Sequence, residues 1–103
     1  MKLRLIFFNI LIFLFFTNLK SDEVFNLGKE VFLNNGNCAT CHSLKDAGSN
    51  AMVGPNLNEI RPVAESIKNV VTNGIGVMPA YIGILSNEEI DAVSYYVSKS
   101  ANN

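Results

Sequence analysis

The sequence predicts an all-α fold of three to four helices, and three observations carry that prediction. Apolar residues recur at helical spacing in three segments, each bounded by residues that start or stop helices. No segment shows the sustained alternation of polar and apolar residues that marks a half-buried strand. The longest stretch with neither period, residues 43–57, is rich in Gly, Ser and Asn and contains Gly54-Pro55-Asn56, the composition of a long loop with a tight turn.

The chain opens on a segment set apart from that domain. Lys2 and Arg4 precede Leu5 to Phe16, twelve residues that are apolar except for Asn9, which is the charged start and short apolar core of an export leader. Spanning a bilayer takes about 20 apolar residues, and extending this stretch to Leu19 admits Thr17 and Asn18. Ser21 is the best small residue to precede a cut. The expected division is a leader over 1–21 and a single domain over 22–103, tethered to the membrane if the leader is retained. No Cys stands at the junction to take a lipid.

The first helix of the domain is expected to begin near Ser21 or Asp22, either of which can cap, with Val24, Leu27, Val31 and Phe32 on its apolar face and Asn34-Asn35-Gly36-Asn37 as its stop. Pro62 suits the first position of a second helix, in which Val63, Ile67, Val70 and Val71 make one stripe and Asn73-Gly74 the end. The last helix has the sharpest signature. Ser86-x-x-Glu89 is a capping box, and Ile90, Val93 and Val97 form the face behind it. Ala101-Asn102-Asn103 reads as a frayed end.

Between the first two helices stands Cys38-Ala39-Thr40-Cys41-His42, the attachment signature of c-type haem. Each thiol can add to one of the two vinyl groups on neighbouring pyrroles, and the next residue then lies under the iron, where a neutral imidazole nitrogen is a good axial ligand. Both Cys of the chain and its single His lie in these five residues. A structural zinc site wants four N or S ligands and finds three. A thioredoxin-like CxxC belongs beside a βαβ pattern, which is missing. A disulfide across so short a loop would constrain little chain entropy and leaves His42 unexplained.

Composition agrees with a small haem protein. Of 8 basic and 9 acidic residues, Lys2, Arg4 and Lys20 leave with the leader, so 5 face 9 and the net charge is −4. That balance disfavours nucleic acid, whose binding rests on clustered Lys and Arg. The 82 residues left make a core that is marginal alone. A covalently held haem would fill it.

An iron closed to small molecules needs a ligand opposite His42. Met1 leaves with the leader, so the thioethers are Met52 and Met78. Met52 lies in the loop expected on the His42 side. Met78 is the better choice, because Gly74-Ile75-Gly76-Val77-Met78-Pro79 gives a glycine-loosened approach and a proline that fixes the backbone beyond it. Either Met could instead be core filling.

From about Glu23 to Ser98 the chain resembles the small monohaem class I cytochromes c of bacterial electron transport. The resemblance runs through Gly28-x-x-x-Phe32, the haem signature, Gly54-Pro55-Asn56-Leu57, Val71-Thr72-Asn73-Gly74, Met78-Pro79-Ala80-Tyr81 and Tyr96-Val97, in the family's order. It implies helices wrapped around one haem c bound through Cys38 and Cys41, with His42 and Met78 on the iron. It also implies a Pro55 carbonyl bonded to the free ring nitrogen of His42, Leu57 packed on the haem edge, and Gly28 and Phe32 meeting Val93 and Tyr96 where the first and last helices cross. Arg61 is either a partner for a haem propionate or solvated. Tyr81 is expected to pack the pocket, and Glu65, Glu88, Glu89 and Asp91 are solvated charges near helix starts.

Such a ligand set implies a periplasmic, monomeric one-electron carrier, not an enzyme, that meets donor and acceptor redox proteins, membrane respiratory complexes among them. The alternatives are a cytochrome subunit held by one dehydrogenase or oxidase, and a peroxidase-type haem enzyme. Ala39, Thr40, Ala47, Met52, Val53, Val77, Ala80 and Ile82 supply an uncharged patch where a haem edge would surface, and the −4 background steers toward a basic rim.

Overall fold

Residues 20–103 are described by a computed structural model; the leader expected over 1–21 lies outside them apart from Lys20 and Ser21. Helix α1 covers residues 20–30 and runs without a break into a π-helical turn, Val31–Asn35. A 3₁₀ turn, Cys38–Thr40, follows, then strands β1 (Ser43–Leu44) and β2 (Ser49–Asn50), the one-turn helix α2 (Leu57–Ile60), α3 (Ala64–Asn73) and α4 (Asn87–Ala101).

Helix α1 already includes Lys20, so Ser21 and Asp22 are helical residues and not caps. Its far end follows from the Asn-Gly run. The π turn closes as Gly36 N donates to Val31 O at 2.7 Å, and Asn37 then takes a left-handed conformation, φ 51°, which Asn tolerates better than most residues. The chain thereby reverses into Cys38.

The stretch expected as one long loop holds a hairpin and the start of a helix. β1 and β2 pair antiparallel with Ser43 opposite Asn50 and Leu44 opposite Ser49. Two residues per strand are too few to show a period, and side chains supply part of the pairing: Ser43 Oγ donates to Ser49 O at 3.1 Å and Leu44 N to Ser49 Oγ at 3.0 Å. Leu44 is fully buried beneath them. Helix α2 starts because Asn56 Oδ1 accepts from Asn58 N at 3.0 Å and Glu59 N at 3.3 Å. It ends at Arg61, φ 46°, because Pro62 disfavours the helical conformation in the residue before it.

Pro62 stands two residues ahead of α3, whose cap is Val63 in an extended conformation. This displaces the expected start. Val63 is accordingly 64% exposed and outside the apolar stripe, while Ile67 and Val71 are buried and Val70 half-buried. In α4 the capping box is complete, with Glu89 N donating to Ser86 Oγ and Ser86 N to Glu89 Oε1. Ile90, Val93 and Val97 are buried behind it. The C-terminus is less frayed than expected: Ala101 is helical and 2% exposed, because one further turn carries it into the core, and only Asn102 and Asn103 lie beyond the helix, Asn102 Nδ2 donating back to Ser98 O at 2.6 Å.

Helix α1 crosses α4 at Gly28. A Cβ there would run into the Ala92 carbonyl oxygen and lie 2.5 Å from Tyr96 Cβ, so the backbones meet at a distance that only glycine allows. Tyr96 fills the crossing, its ring 4.9 Å from Phe25 and 5.8 Å from Phe32. Val93 is buried in the same core cluster. Burial of an aromatic side chain of this size is worth about 1.5–3 kcal/mol. Tyr96 Oη donates to Asp46 Oδ1 at 2.6 Å, and Lys29 Nζ lies 3.3 Å from the same oxygen. The hairpin turn is thus pinned to both helices.

Two similar turns join α3 to α4. Ile75-Gly76-Val77-Met78 and Ile82-Gly83-Ile84-Leu85 each close with a bridge between first and fourth residue and carry a glycine at positive φ in second place.

Candidate functional site

Two adjoining cavities, of about 320 and 200 Å³, open between the two halves of the chain and share Cys38, His42, Pro55, Ile75 and Met78 as walls. They read as one cleft, in the size range of small-molecule sites. Phe32, Leu57, Ile60, Pro62, Ile67, Val70, Val71, Val93 and Val97 line the larger part. Cys41, Val53, Gly54, Val77, Pro79 and Tyr81 line the smaller. Apart from Ser66 in the one and Asn37 and the Tyr81 hydroxyl in the other, the side chains around His42 and the thiols are apolar.

Each wall has a local cause. The 3₁₀ turn presents Cys38, and His42 N closes back onto Cys38 O at 2.9 Å, which places the imidazole one turn beyond the first thiol. Both thiols are free and half-buried. Burial pushes the Cys38 thiol up to about 11, so it stays neutral in the bare polypeptide. His42 is oriented from behind by Gly54-Pro55. Its Nδ1 lies 2.8 Å from Pro55 O; a carbonyl can only accept, so Nδ1 donates, and in the neutral imidazole this tautomer puts the lone pair on Nε2. A Cβ on Gly54 would sit 2.5 Å from His42 Cε1, so the loop backbone packs directly on the ring. Gly54 N in turn donates to Cys41 O at 2.7 Å.

The facing wall comes from the first of the two turns. Met78 is half-buried and turned into the cleft, whereas Met52 is 90% exposed. Leu57 is buried at the cleft floor. Of the residues singled out in the sequence, Cys38, Cys41, His42, Pro55, Leu57 and Met78 therefore all come together. Arg61 does not join them: it is exposed, and its Nε donates to Asn58 O at 3.4 Å.

Several wall residues carried no sequence signal. Ile60, Pro62 and Ser66 reach the cleft only because α2 breaks at Arg61. Gly54 against His42 is visible only as part of Gly-Pro-Asn. The Tyr81 hydroxyl donates to Gly36 O at 2.6 Å, across 45 residues of sequence that no local pattern could bridge.

The cleft suits a haem. It is apolar over most of its surface, and one imidazole, one thioether and both free thiols line it. Among the described residues no helix is long and apolar enough to cross a membrane.

Comparison with known proteins points the same way. Residues 24–97 match the family described as cytochrome c oxidase, cbb3-type, subunit III. Cytochrome c6 of Leptolyngbya boryana is 37% identical over 78 residues, covering 72% of this chain and 89% of that protein. The chloroplastic cytochrome c6 of Chlamydomonas reinhardtii is 40% identical over 84 residues, but this chain spans 53% of its length. The crystal structure of the c-type cytochrome SorU from Sinorhizobium meliloti is 50% identical, covers 78% of this chain and 93% of its own, and superimposes with a TM-score of 0.74. The chain is a member of the cytochrome c family, a small monohaem class I cytochrome with haem c on Cys38 and Cys41.

Proposed function

We propose that the chain is an exported, periplasmic one-electron carrier whose haem iron is held between His42 and Met78. The observation that supports this best is that these two side chains, one from each half of the chain, line the same apolar cleft beside the two thiols. The bound haem supplies the ferrous–ferric couple. His42 Nε2 is left free by the proton on Nδ1, and the Pro55 carbonyl makes the imidazole a stronger donor while fixing its plane. The Met78 thioether favours the ferrous state and raises the potential relative to a second imidazole. Apolar walls exclude water and keep the dielectric low. With His42 and Met78 both holding it, the iron would have no open position for oxygen or peroxide, which argues for a carrier and against an enzyme.

Electrons would pass where the smaller cavity opens. Val53 and Val77 line that cavity at 73% and 95% exposure, Met52 precedes Val53 at 90%, and Ile82 is 67% exposed. Thr40 and Ala80 are exposed too, while Ala39 and Ala47 are half-buried and contribute less. A patch of this kind docks apolar surface, and the acidic background steers basic-rimmed redox partners toward it.

A second reading has its ground in the matching family's description: a haem subunit held by a single oxidase. Exported from a bacterial host, a free carrier should elute as a monomer with the mass of residues 22–103 plus one haem, and its ferrous form should not bind carbon monoxide. Co-purification with an oxidase would favour the second reading, and carbon monoxide binding by the unaltered protein would contradict the closed iron.

A further inference from the structure

The segment that carries Met78 is rooted on α3 alone. Gly74 N donates to Val70 O at its start and Tyr81 N to Val71 O at its end, both at 2.8 Å. Between these points the backbone bonds only to itself, Ile75 N to Met78 O at 3.1 Å and Met78 N to Ile75 O at 2.9 Å. Pro79 has no N–H to add. Neighbouring roots on one helix fix where the segment starts and ends. They leave its swing toward or away from the His42 wall unfixed.

One hydrogen bond among the described residues ties this segment to the opposite wall. Tyr81 Oη donates to Gly36 O at 2.6 Å, and Gly36 is buried two residues before Cys38. The Tyr81 ring lines the same cavity as Met78, Cys38, Cys41 and His42. Its backbone is held as well, since Ile84 N and Leu85 N both donate to its carbonyl at 2.9 Å. The side chain therefore leaves a fixed backbone and reaches across the cleft to a fixed acceptor.

We propose that Tyr81 is a positioning residue that latches the Met78 segment against the half of the chain bearing Cys38 and His42. The inference rests on the reading of Met78 as an iron ligand. Phenylalanine fills the same space without the hydroxyl, so Tyr81→Phe removes the latch and keeps the packing. Gly36 O then loses its donor at a buried position.

The test is imidazole binding to the ferric holoprotein, followed together with the near-infrared sulfur-to-iron charge-transfer band. Net loss of one hydrogen bond should raise the apparent imidazole affinity of Tyr81→Phe roughly fivefold. Asn58→Ala breaks a bond of similar kind, Lys45 N to Asn58 Oδ1 at 2.8 Å, between the hairpin turn and α2. It should lower thermal stability and leave imidazole affinity unchanged. In Met78→Ala the band should vanish and imidazole should bind without competition, and adding Tyr81→Phe to that variant should change nothing further. An unchanged imidazole affinity in Tyr81→Phe, with Met78→Ala raising it, would overturn the latch. A band that survives in Met78→Ala would overturn the ligand reading beneath it.

Discussion

The turns Ile75–Met78 and Ile82–Leu85 share an outline but not a bonding pattern, the first bridge being antiparallel and the second parallel, and they are put to different ends. Both bridge first to fourth residue, both place a glycine second, with φ 55° at Gly76 and 80° at Gly83, and both leave their first and third residues in solvent: Ile75 and Val77 at 65% and 95%, Ile82 and Ile84 at 67% each. They differ in the fourth residue. Met78 turns its thioether into the cleft, whereas Leu85 is 6% exposed in the core cluster with Ile90 and Val93. Turns of similar outline thus deliver the proposed iron ligand in the first case and a core anchor in the second. Ile75 and Val77 of the first turn also line the cleft, whereas no residue of the second turn does, so the space each turn borders separates site from scaffold.

Exchanging the fourth residues breaks the comparison most sharply. Met78→Leu keeps volume and loses the sulfur, so the holoprotein should fold, lose its charge-transfer band and drop in potential. Leu85→Met should cost less than about 1.5 kcal/mol, as volume-conserving swaps do, and leave spectrum and potential as they were. Leu85→Ala should cost about 2–5 kcal/mol in denaturant unfolding. Equal spectral effects from Met78→Leu and Leu85→Met would mean that the turns are not divided in this way.

A smaller effect probes what the turns share. Nothing lies within 4 Å of a Cβ built on Gly76 or Gly83, so alanine at either meets no clash and only the positive φ opposes it. Each substitution should cost about 1 kcal/mol. Because the second turn feeds the core, Gly83→Ala should appear in the unfolding midpoint alone. Gly76→Ala should also weaken the charge-transfer band.

The flanks of the two turns give the smallest effect, at acid pH. Glu89, which caps α4 just after the second turn, accepts from Ser86 N and from Asn35 Nδ2 at 2.8 Å, and these hold its carboxyl below the usual range, the backbone donor first. The Tyr96 hydroxyl, with Lys29 beside it, does the same for Asp46 at the hairpin turn. A carboxyl lowered on folding contributes stability that is complete above its unfolded value, about 4, and lost as pH falls through the folded one. Glu89→Gln and Asp46→Asn should therefore lower stability slightly at neutral pH and flatten the acid limb, so that each variant converges on the unaltered protein as pH falls through the folded value. A steeper limb in either variant would contradict the assignment.

The sequence displayed the site more fully than the fold. Cys38 to His42 and Met78-Pro79 are contiguous patterns whose chemistry dictates their spacing, so they can be read locally. The capping box at Ser86 and the stop at Asn34 to Asn37 could be read for the same reason. Asn56-x-x-Glu59 has the spacing of Ser86-x-x-Glu89 and marks the start of α2, but Pro62 cuts that helix to one turn and hides its period. The hairpin rests on two serine hydroxyls and one buried leucine, which leave no alternation to find. Gly54 on His42, Tyr81 on Gly36 and Tyr96 on Asp46 depend on where distant segments land, and no local rule specifies that.

The account stands on Met78 and His42 sharing one iron, and the near-infrared spectrum of the ferric holoprotein tests this most directly. The charge-transfer band should be present in the unaltered protein and in Met52→Ala, whose side chain is 90% exposed, and absent in Met78→Ala. A band that persists in Met78→Ala, or that disappears in Met52→Ala, would contradict it.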